Sequence, residues 1–392
     1  AFAAQAAGNA DWSGRRPHPA VVNPVCGYEA GTVLDLGGEW EFSKNKASAD
    51  RHQFFRQREN EREWKDARKI RVPGNWEAQG VGEAVPKQER RTYDGYRQLP
   101  LRHYFNGHGW YRRTVELPAG TKEAELVFDG AMSHPEVYSD GQRIGGWMNG
   151  YSPFVVKLPV KPRQTIAVRL ENLPESSRWY PGAGLFRPVT LRIDPKARRE
   201  EVFVRTERIA DGKAYLRVTT PADERTFTVD DPKLWTPETP HLYTLEPEGI
   251  RYGIRTARFT ADDGFHLNGR RLQLKGVCLH SDLGPLGMAF DRSAAKRQLL
   301  TMKDMGVNAL RTSHNAPDPK LLDLCDELGV VVCDEAFDKW GGGKHDYVVT
   351  NLQAFVRRDR NHPSVICWSI GNEIPQGEGW GMSKSWFHDF RA

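Results

Sequence analysis

Cysteine is scarce in this sequence, with five among 392 residues. So low and odd a number argues against a fold built on disulfide bridges. Cys278, Cys333 and Cys367 each lie within an apolar, strand-like run, and none of them has a CxxC partner. We therefore expect these three thiols to be buried as small apolar side chains.

The sequence also lacks long apolar runs and a large excess of charge of one sign. No segment approaches the roughly 18 consecutive apolar residues of a membrane span, so no transmembrane helix is expected. The 56 basic residues nearly balance the 51 acidic ones, and the two signs are interleaved along the chain. Nucleic-acid binding would require a clustered basic stripe, so nucleic acid is not an expected partner.

The first 14 residues, AFAAQAAGNADWSG, contain neither a charged n-region nor a long apolar core. Such a stretch would remain after signal cleavage at an A-x-A-like site, which predicts a periplasmic or secreted protein. An unstructured terminal tail is the alternative that the sequence leaves open.

A chain of this length exceeds what one hydrophobic core usually supports, so two or three domains are expected. Over residues 1–194, short β segments alternate with Gly, Pro and Asp, and SDGQ has the composition of a hairpin turn. This pattern predicts a β-sandwich of jelly-roll size. Residues 195–262 predict a second, immunoglobulin-like β-sandwich that is shorter than the usual length of about 100 residues.

From residue 263 to residue 392, strands alternate with amphipathic helices. The predicted strands are RLQLKGVCLH, VNALRTSH, VVVCDEAF and SVICWSIGNE, and the helices between them are SAAKRQLLTMKDMG, PDPKLLDLCDELG and NLQAFVRRDRNHP. Consecutive βα units with apolar strands predict a (β/α) barrel or a doubly wound sheet. No GxGxxG motif follows the first strand, which disfavours a dinucleotide-binding fold. The predicted fold class is thus multidomain β plus α/β.

Every one of these strands ends in polar residues. They are His280 in the first, Arg311 and His314 in the second, Glu335 in the third, and Asn372 with Glu373 in the fourth. In a (β/α)8 barrel, the C-terminal ends of the strands form one shared mouth where catalytic groups collect. A single polar strand end is usually a helix cap or a satisfied loop residue, as we expect for Asp318 and Ser293, but four in succession predict a functional site.

The residue types at this mouth suit sugar chemistry. Carboxylates, His and Arg occur near Trp340, Trp368 and Trp380, and no Ser lies in a GxSxG turn. Sugars stack on aromatic rings and form hydrogen bonds through their hydroxyls, so we expect Trp340 to contact substrate. Glycoside hydrolysis needs a carboxylic acid that protonates the leaving oxygen and a second carboxylate opposite it. Glu373, beside Trp368, is the predicted donor, because apolar surroundings raise a carboxyl pKa.

Several stretches together resemble glycoside hydrolase family 2, the family of β-galactosidases, β-glucuronidases and β-mannosidases. They are VPGNWEAQGVG, GWYRRTVELP, SSRWYPGAGLFRPVTL, NALRTSHNAPDPKLLDLCDELGVVVCDEAF and DRNHPSVICWSIGNE. The resemblance implies jelly-roll, immunoglobulin-like and (β/α)8 domains in that order. It also implies a retaining double displacement with Glu373 as acid/base and Asn372 holding the sugar 2-hydroxyl. It further implies substrate-binding roles, in the −1 subsite for His280, Arg311, His314 and Glu335, and in the loop Arg178 to Gly184 for Trp179 and Tyr180.

Two local departures from the family pattern concern specificity and metal. Ser281 stands where similar members often have a second His in CLHHDLG, which leaves substrate preference open. Metal-dependent members carry D-E-A-N-x-E-x-H after the third strand, whereas this chain has DEAFDKWG, with Lys339 and Gly341 at ligand positions. We therefore predict no catalytic Mg²⁺ and no cofactor.

The largest departure is one of length. A (β/α)8 barrel needs about 250 residues, and the stretch from Gly264 to Ala392 has about half of that. The resemblance implies that the nucleophilic Glu lies at the end of a later strand, beyond Ala392. Since a half barrel would expose two strand edges, we expect this chain to be a segment of a longer protein, incomplete by itself for catalysis.

The leading interpretation is a retaining exo-β-glycosidase. Its leading substrate class is that of a β-galactosidase, because RTSHNAP and DEAFDKW look most like that branch. A β-glucuronidase or another family 2 hydrolase stays open as an alternative. A non-catalytic carbohydrate-binding protein on a hydrolase scaffold would be expected to lack Glu373, and an adhesion protein made of β-sandwiches leaves the βα region unexplained. The expected partner is a β-galactoside or related saccharide, and assembly into a homo-oligomer is left open.

Overall fold

The computed structural model describes residues 21–22, 32–46, 64, 67–84, 103–173, 182–195, 201–338 and 345–372. Several predicted features lie outside these residues, namely the N-terminal 14 residues, Trp179, Tyr180, Lys339, Trp340, Gly341, Glu373 and Trp380. Within the described ranges, no helix has the length and apolar character needed to cross a membrane.

Thirteen short strands build the first domain in the described ranges up to residue 195. They are β1 (Val21–Val22), β2 (Thr32–Asp35), β3 (Gly38–Lys46), β4 (Arg68–Val72), β5 (Glu83–Ala84), β6 (His103–Tyr104), β7 (Gly107–Glu116), β8 (Ala124–Phe128), β9 (Glu136–Ser139), β10 (Gln142–Gly146), β11 (Phe154–Lys157), β12 (Arg163–Asn172) and β13 (Val189–Ile193). One sheet has the order β1-β11-β8-β13-β2 and another the order β10-β9-β12-β7-β3-β4, while β5 pairs with β6 alone. The two large sheets therefore form the predicted β-sandwich.

Apolar side chains that alternate along these strands hold the two sheets together. Phe128 and Phe154 from the first sheet and Trp40 and Ile166 from the second belong to one continuous core, as in face-to-face packing of antiparallel sheets. The predicted SDGQ turn is confirmed, because Ser139 pairs with Gln142 across a two-residue loop. Both central residues of this loop have positive φ values, 46° and 74°, which favour Asp-Gly.

The middle region consists of eight shorter strands. They are β14 (Phe203–Ala210), β15 (Lys213–Thr219), β16 (Glu224–Asp230), β17 (Tyr243–Leu245), β18 (Ile250–Tyr252), β19 (Ala257–Thr260), β20 (Gly264–Leu267) and β21 (Arg270–Arg271). Strands β14 to β16 form one antiparallel sheet, β17 and β18 form another, and both contribute to one core that includes Leu216 and Ile250. The predicted boundary after residue 262 lies in the turn between β19 and β20, and the domain boundaries stay predictions.

The βα region contains four parallel strands and three helices among the described residues. They are β22 (Gly276–His280), α1 (Arg292–Asp304), β23 (Ala309–Ser313), α2 (Pro319–Leu328), β24 (Val331–Glu335), α3 (His345–Asp359) and β25 (Val365–Ser369). The strands are adjacent in chain order, β22-β23-β24-β25. Asp318 accepts a hydrogen bond from the backbone N–H of Lys320 and so caps α2 as predicted, whereas α1 is capped by Asp291 and not by Ser293.

Two predicted segments differ from the structure. The strand predicted to begin at Arg271 is divided, because Arg271 pairs with His266 in a hairpin and the parallel strand starts only at Gly276. The third helix was predicted over residues 351–363 but spans His345–Asp359. It ends before Pro363, since proline disfavours helical backbone in the preceding residue.

The prediction that Cys278 is buried is wrong, because its side chain is exposed. Val277 and Leu279 pack against the helix-side core, and side chains alternate along a strand. Cys278 therefore points to the opposite face of the sheet. Cys333 and Cys367 are half-buried rather than fully buried.

Candidate active site

The carboxylate of Glu335 is the centre of the predicted mouth. It is 0% exposed at the end of β24. Its Oε2 accepts hydrogen bonds from Nε and Nη2 of Arg311 at 3.0 and 2.6 Å and from Oγ of Ser369 at 2.6 Å. Its Oε1 lies 2.7 Å from Nδ1 of His314. A buried carboxylate is tolerated here because charged and polar partners from neighbouring strands surround it.

Arg311 extends this network to the fourth strand end. Its Nη2 also donates to Oδ1 of Asn372 at 2.9 Å, and Nδ2 of Asn372 donates to Oδ1 of Asp338 at 2.9 Å. Burial opposes the charge on Arg311, but the hydrogen bond and the charge of Glu335 outweigh it and raise the pKa of Arg311. The guanidinium therefore stays charged and fixes both the carboxylate and the amide.

His280 lies beside His314 at the same edge of the sheet. Their rings are perpendicular with centroids 5.2 Å apart. The structure thus brings together the predicted substrate-binding residues His280, Arg311, His314, Glu335 and Asn372. Glu373 follows Asn372 directly in the chain but lies outside the described residues, as do Trp340, Trp179 and Tyr180. The roles of all these residues stay predictions.

Two members of the network were not predicted. Ser369 donates to Glu335, and Asp338 accepts from Asn372. Ser369 is the last residue of its strand, but the predicted strand ran on to Glu373, so the strand-end rule pointed to Asn372 and Glu373 instead. Asp338 lies three residues beyond Glu335, and only the return of the chain toward Asn372 brings it into the network.

Trp368, which the sequence places near the mouth, does not line it. It packs edge-on against Phe355 of α3, with ring centroids 5.3 Å apart at 83°. Its neighbour Ser369 points the other way, toward Glu335. The physical reason is the alternation of side chains along β25, which places Trp368 on the helix side of the sheet.

A second buried polar layer lies on that helix side, behind the mouth. Oγ1 of Thr312 accepts from the backbone N–H of Glu335 at 2.8 Å and donates to Oδ1 of Asp334 at 3.1 Å. Burial and the nearby Asp359 raise the pKa of Asp334 well above its ordinary value. Arg358 binds both carboxylate oxygens of Asp359, at 2.6 and 2.5 Å. This layer fixes the backbone from which Glu335 projects.

The first sandwich contacts the loop that follows β22. Oδ1 of the fully buried Asn75 accepts from the backbone N–H groups of Met288 and Ala289 at 2.7 and 2.9 Å. Nδ2 of the same side chain donates to the carbonyl of Ala183 at 3.1 Å. The side chain of Asn75 therefore connects the backbone at Ala183 to the loop after His280.

Arg187 makes the corresponding contact with the loop that follows β23. It is 1% exposed, and its Nη2 donates to the carbonyl of Ala316 at 2.9 Å. Its Nε lies 3.7 Å from Oδ2 of Asp318, the cap of α2. Because Ala316 is two residues from His314, the sandwich supports the mouth from outside the βα region.

One group of three potential metal ligands occurs in the described ranges, at Asp323, Asp326 and His362, whose ligand atoms lie within 4.8 Å of one another. Asp323 accepts a hydrogen bond from Arg251 at 2.6 Å, and Nδ1 of His362 lies 2.6 Å from Asp326. These ion pairs account for the cluster without a metal. His362 precedes β25, so the cluster is at the opposite end of this strand from the mouth. The predicted lack of a catalytic Mg²⁺ concerns positions outside the described residues and stays a prediction.

Three family models match the chain in consecutive order. They are described as the sugar binding domain of glycosyl hydrolases family 2 over residues 33–170, glycosyl hydrolases family 2 over residues 189–249, and the TIM barrel domain of glycosyl hydrolases family 2 over residues 260–342 and 342–390. Together they cover most of the chain. They confirm the predicted fold class of a jelly-roll sandwich, an immunoglobulin-like sandwich and strands of a (β/α)8 barrel.

Relatives with curated names support the same assignment. A β-galactosidase from Bacteroides ovatus is 34% identical over 389 residues, covering 82% of this chain and 44% of that protein. A β-galactosidase from an Arthrobacter species is 32% identical over 339 residues, covering 72% and 33%. A β-glycosidase structure from Bacteroides vulgatus has a TM-score of 0.74 at 26% identity and covers 92% of this chain and 52% of that one. The chain thus spans about half or less of the length of these relatives. It belongs to glycoside hydrolase family 2.

Proposed function

We propose that the full-length protein is a retaining exo-β-glycosidase that hydrolyses terminal β-galactosides. The observation that carries this proposal is the contact of Arg311 with both Glu335 and Asn372, at 2.6 and 2.9 Å. It joins the buried carboxylate to the amide that immediately precedes Glu373. The β-galactosidase names of the two curated relatives support the choice of substrate.

In this proposal each residue has a defined chemical task. Glu373 protonates the departing glycosidic oxygen and later removes a proton from the attacking water. Asn372, held by Arg311 on one side and Asp338 on the other, binds the sugar 2-hydroxyl. A second carboxylate, about 5–5.5 Å from the first in retaining enzymes, attacks the anomeric carbon. None of the described residues is assigned that role, which the family resemblance gives to a Glu beyond Ala392.

Glu335 and the two histidines form the polar wall of the sugar site in this proposal. Glu335 is held by three side chains, so its carboxylate does not need to reorganise when sugar hydroxyls arrive. The rings of His280 and His314 lie in perpendicular contact at the edge of the sheet. Ring edges carrying N–H groups or nitrogen lone pairs are suited to hydroxyl groups.

The test compares the full-length protein with its Glu373→Gln variant on two kinds of β-galactoside. We expect kcat to fall by about 10²-fold or more for a disaccharide, whose leaving group needs a proton. The loss should be far smaller for a nitrophenyl galactoside, because nitrophenolate leaves without protonation. Glu335→Gln is the matched control and should affect both substrates alike, since it weakens sugar binding rather than proton transfer. Equal losses for both substrates in Glu373→Gln would contradict its role.

A panel of nitrophenyl glycosides tests the substrate class. Faster hydrolysis of the β-glucuronide than of the β-galactoside would replace the proposed substrate by the family alternative. Binding of galactose without hydrolysis of any member of the panel would favour a non-catalytic carbohydrate-binding protein.

A further inference from the structure

One row of residues crosses the four parallel strands just below the mouth. Cys278 on β22 is in register with Arg311 on β23, which is in register with Cys333 on β24. Cys333 is in turn in register with Cys367 on β25. Three of the four residues in this row are cysteines, and the last two occupy neighbouring strands.

Cys333 and Cys367 point to the same face of the sheet. Two residues further along the same strands, Glu335 and Ser369 are also in register, and their side chains are joined by a 2.6 Å hydrogen bond. Since side chains two residues apart share a face, the two thiols lie on the mouth side, one row deeper. A shift of the register between Val332 and Cys333 places Cys333 opposite Cys367 rather than Ile366.

Cys333 and Cys367 lie directly opposite each other on adjacent strands, and each thiol shifts the pKa of the other. Paired residues on adjacent strands have Cα atoms about 4.8 Å apart, which is within the range of about 4.4–6.8 Å found for disulfides. The neighbouring thiol of Cys333 lowers the pKa of Cys367, while the pKa of Cys333 is raised by its interaction with Cys367 and by partial burial. Cys367 is therefore the sulfur more readily ionised.

We propose that Cys333 and Cys367 form an oxidation site, a dithiol at the base of the mouth that oxidants of the hydroperoxide class convert to a disulfide. This inference goes beyond the proposed function and does not rest on it. The arrangement also separates the pair from the other described thiols. Cys278 is two strands from Cys333, about 10 Å away, and Cys325 is fully buried in α2.

The reaction has two balanced steps. The thiolate of Cys367 attacks one oxygen of hydrogen peroxide, the O–O bond breaks, and Cys367 becomes a sulfenic acid while hydroxide leaves and is protonated to water. The sulfur of Cys333 then attacks the sulfenic sulfur, forming the S–S bond and releasing a second water. Two electrons pass from the two sulfurs to the peroxide, and no other reactant is needed.

Peptide mapping by mass spectrometry tests this site without any activity assay. The folded full-length protein is treated with hydrogen peroxide, denatured, alkylated at its remaining thiols and digested. We expect one cross-linked peptide pair containing Cys333 and Cys367, about 2 Da lighter than the sum of its reduced peptides and reversed by dithiothreitol. Cys278→Ser should give the same bridge, which serves as the control.

Two single variants distinguish the order of the steps. In Cys333→Ser we expect sulfenic acid to accumulate at Cys367 and to be captured by a dimedone probe. In Cys367→Ser we expect labelling of Cys333 to be about tenfold weaker, because partial burial still raises the pKa of Cys333. If either variant does not fold, as judged by its melting curve, the peptide map of the unaltered chain alone decides. Three results would overturn the proposal. The thiols of Cys333 and Cys367 could both remain open to alkylation after peroxide treatment, the bridge could form through Cys278, or sulfinic acid could form at either residue without a bridge.

Discussion

Nδ1 of His314 lies 2.7 Å from Oε1 of Glu335, while the other oxygen of the same carboxylate binds Arg311 and Ser369. Each oxygen of the carboxylate thus has its own partners. This division fixes the plane of the carboxylate and the orientation of the imidazole at once. Glu335 therefore links three of the side chains at the predicted mouth.

Replacing Glu335 with Gln tests the contribution of these links to stability. The substitution keeps the size of the side chain but removes its charge and places an amide NH₂ among donors. Arg311 has a side chain that is 35% exposed, so water compensates for part of the loss. We expect the free energy of unfolding to fall by about 2–3 kcal/mol, measured from urea denaturation.

Glu327→Gln is the matched control for this prediction. Glu327 also binds two arginines, Arg251 and Arg292, but its side chain is 31% exposed on the surface of α2. Ion pairs of that kind contribute little, so we expect a loss below about 1 kcal/mol. Equal losses in Glu327→Gln and Glu335→Gln would contradict the special role of the buried carboxylate.

The pair formed by His362 and Asp326 predicts a dependence of stability on pH. Burial disfavours the imidazolium, but the charge and the hydrogen bond of Asp326 outweigh it and raise the pKa of His362 above its ordinary value of 6.5. A raised pKa in the folded state means that this contribution is fully present below about pH 6.5 and is lost as the pH rises through the folded value. The stability difference between the unaltered chain and His362→Gln should therefore shrink above pH 6.5, by at most about 1.4 kcal/mol per pH unit.

Asp326→Asn supplies the control for the pH prediction. Without the carboxylate of Asp326, only the weaker charges of Asp359 and Asp323 favour the proton on His362 against burial. The effect of His362→Gln should therefore change much less between pH 7 and pH 9. Urea denaturation of the four proteins at each pH forms a double-mutant cycle. A stability effect of His362→Gln that is independent of pH in the unaltered chain as well as in the Asp326→Asn variant would show that the pair does not titrate.

The polar mouth was predictable because it follows from a simple rule of topology. Parallel strands that are adjacent in sequence place their C-terminal ends at one edge, so His280, Arg311, Glu335 and Asn372 could be grouped before any contact was known. The hairpin at Asp140 was predictable for a local reason, since a type I′ turn favours Asp-Gly.

What could not be predicted is the direction in which particular side chains point and which distant segments meet. The run VICWS is apolar on both faces, as buried parallel strands are, so its sequence does not tell which of Trp368 and Ser369 faces the mouth. The contact of Asn75 with Met288 joins residues 213 positions apart. No local pattern of charge or hydrophobicity predicts a hydrogen bond to a backbone N–H group so far away in the sequence.

Asn75→Ala tests how strongly the first sandwich supports the mouth. The substitution leaves the backbone N–H groups of Met288 and Ala289 buried without their acceptor, and we expect a loss of about 2–4 kcal/mol in unfolding free energy. Asn308→Ala is the control. Asn308 makes a similar pair of bonds, accepting from Lys275 and donating to Gln273, but its contacts are exposed, so water can replace them at a cost below about 1 kcal/mol. Equal losses would contradict a supporting role for Asn75.

Two glycines with the same backbone conformation allow the contact between the middle region and the βα region to be measured. Gly329, which ends α2, has φ of 69°, and Gly212, in the turn after β14, has φ of 70°. A Cβ atom at Gly329 would lie 2.2 Å from the carbonyl oxygen of Pro237, whereas one at Gly212 would meet nothing within 4 Å. The two substitutions by Ala therefore share the backbone cost and differ only in the clash.

We expect Gly212→Ala to lower the unfolding free energy by about 1 kcal/mol, the cost of a left-handed conformation in a residue with a Cβ atom. Gly329→Ala should lower it by a further 1–3 kcal/mol or so, because the backbone at Pro237 has to move away from α2. Thermal and urea denaturation of both variants measure this difference directly. Equal losses would mean that the segment around Pro237 adapts freely, and that the middle region does not pack rigidly on the end of the helix.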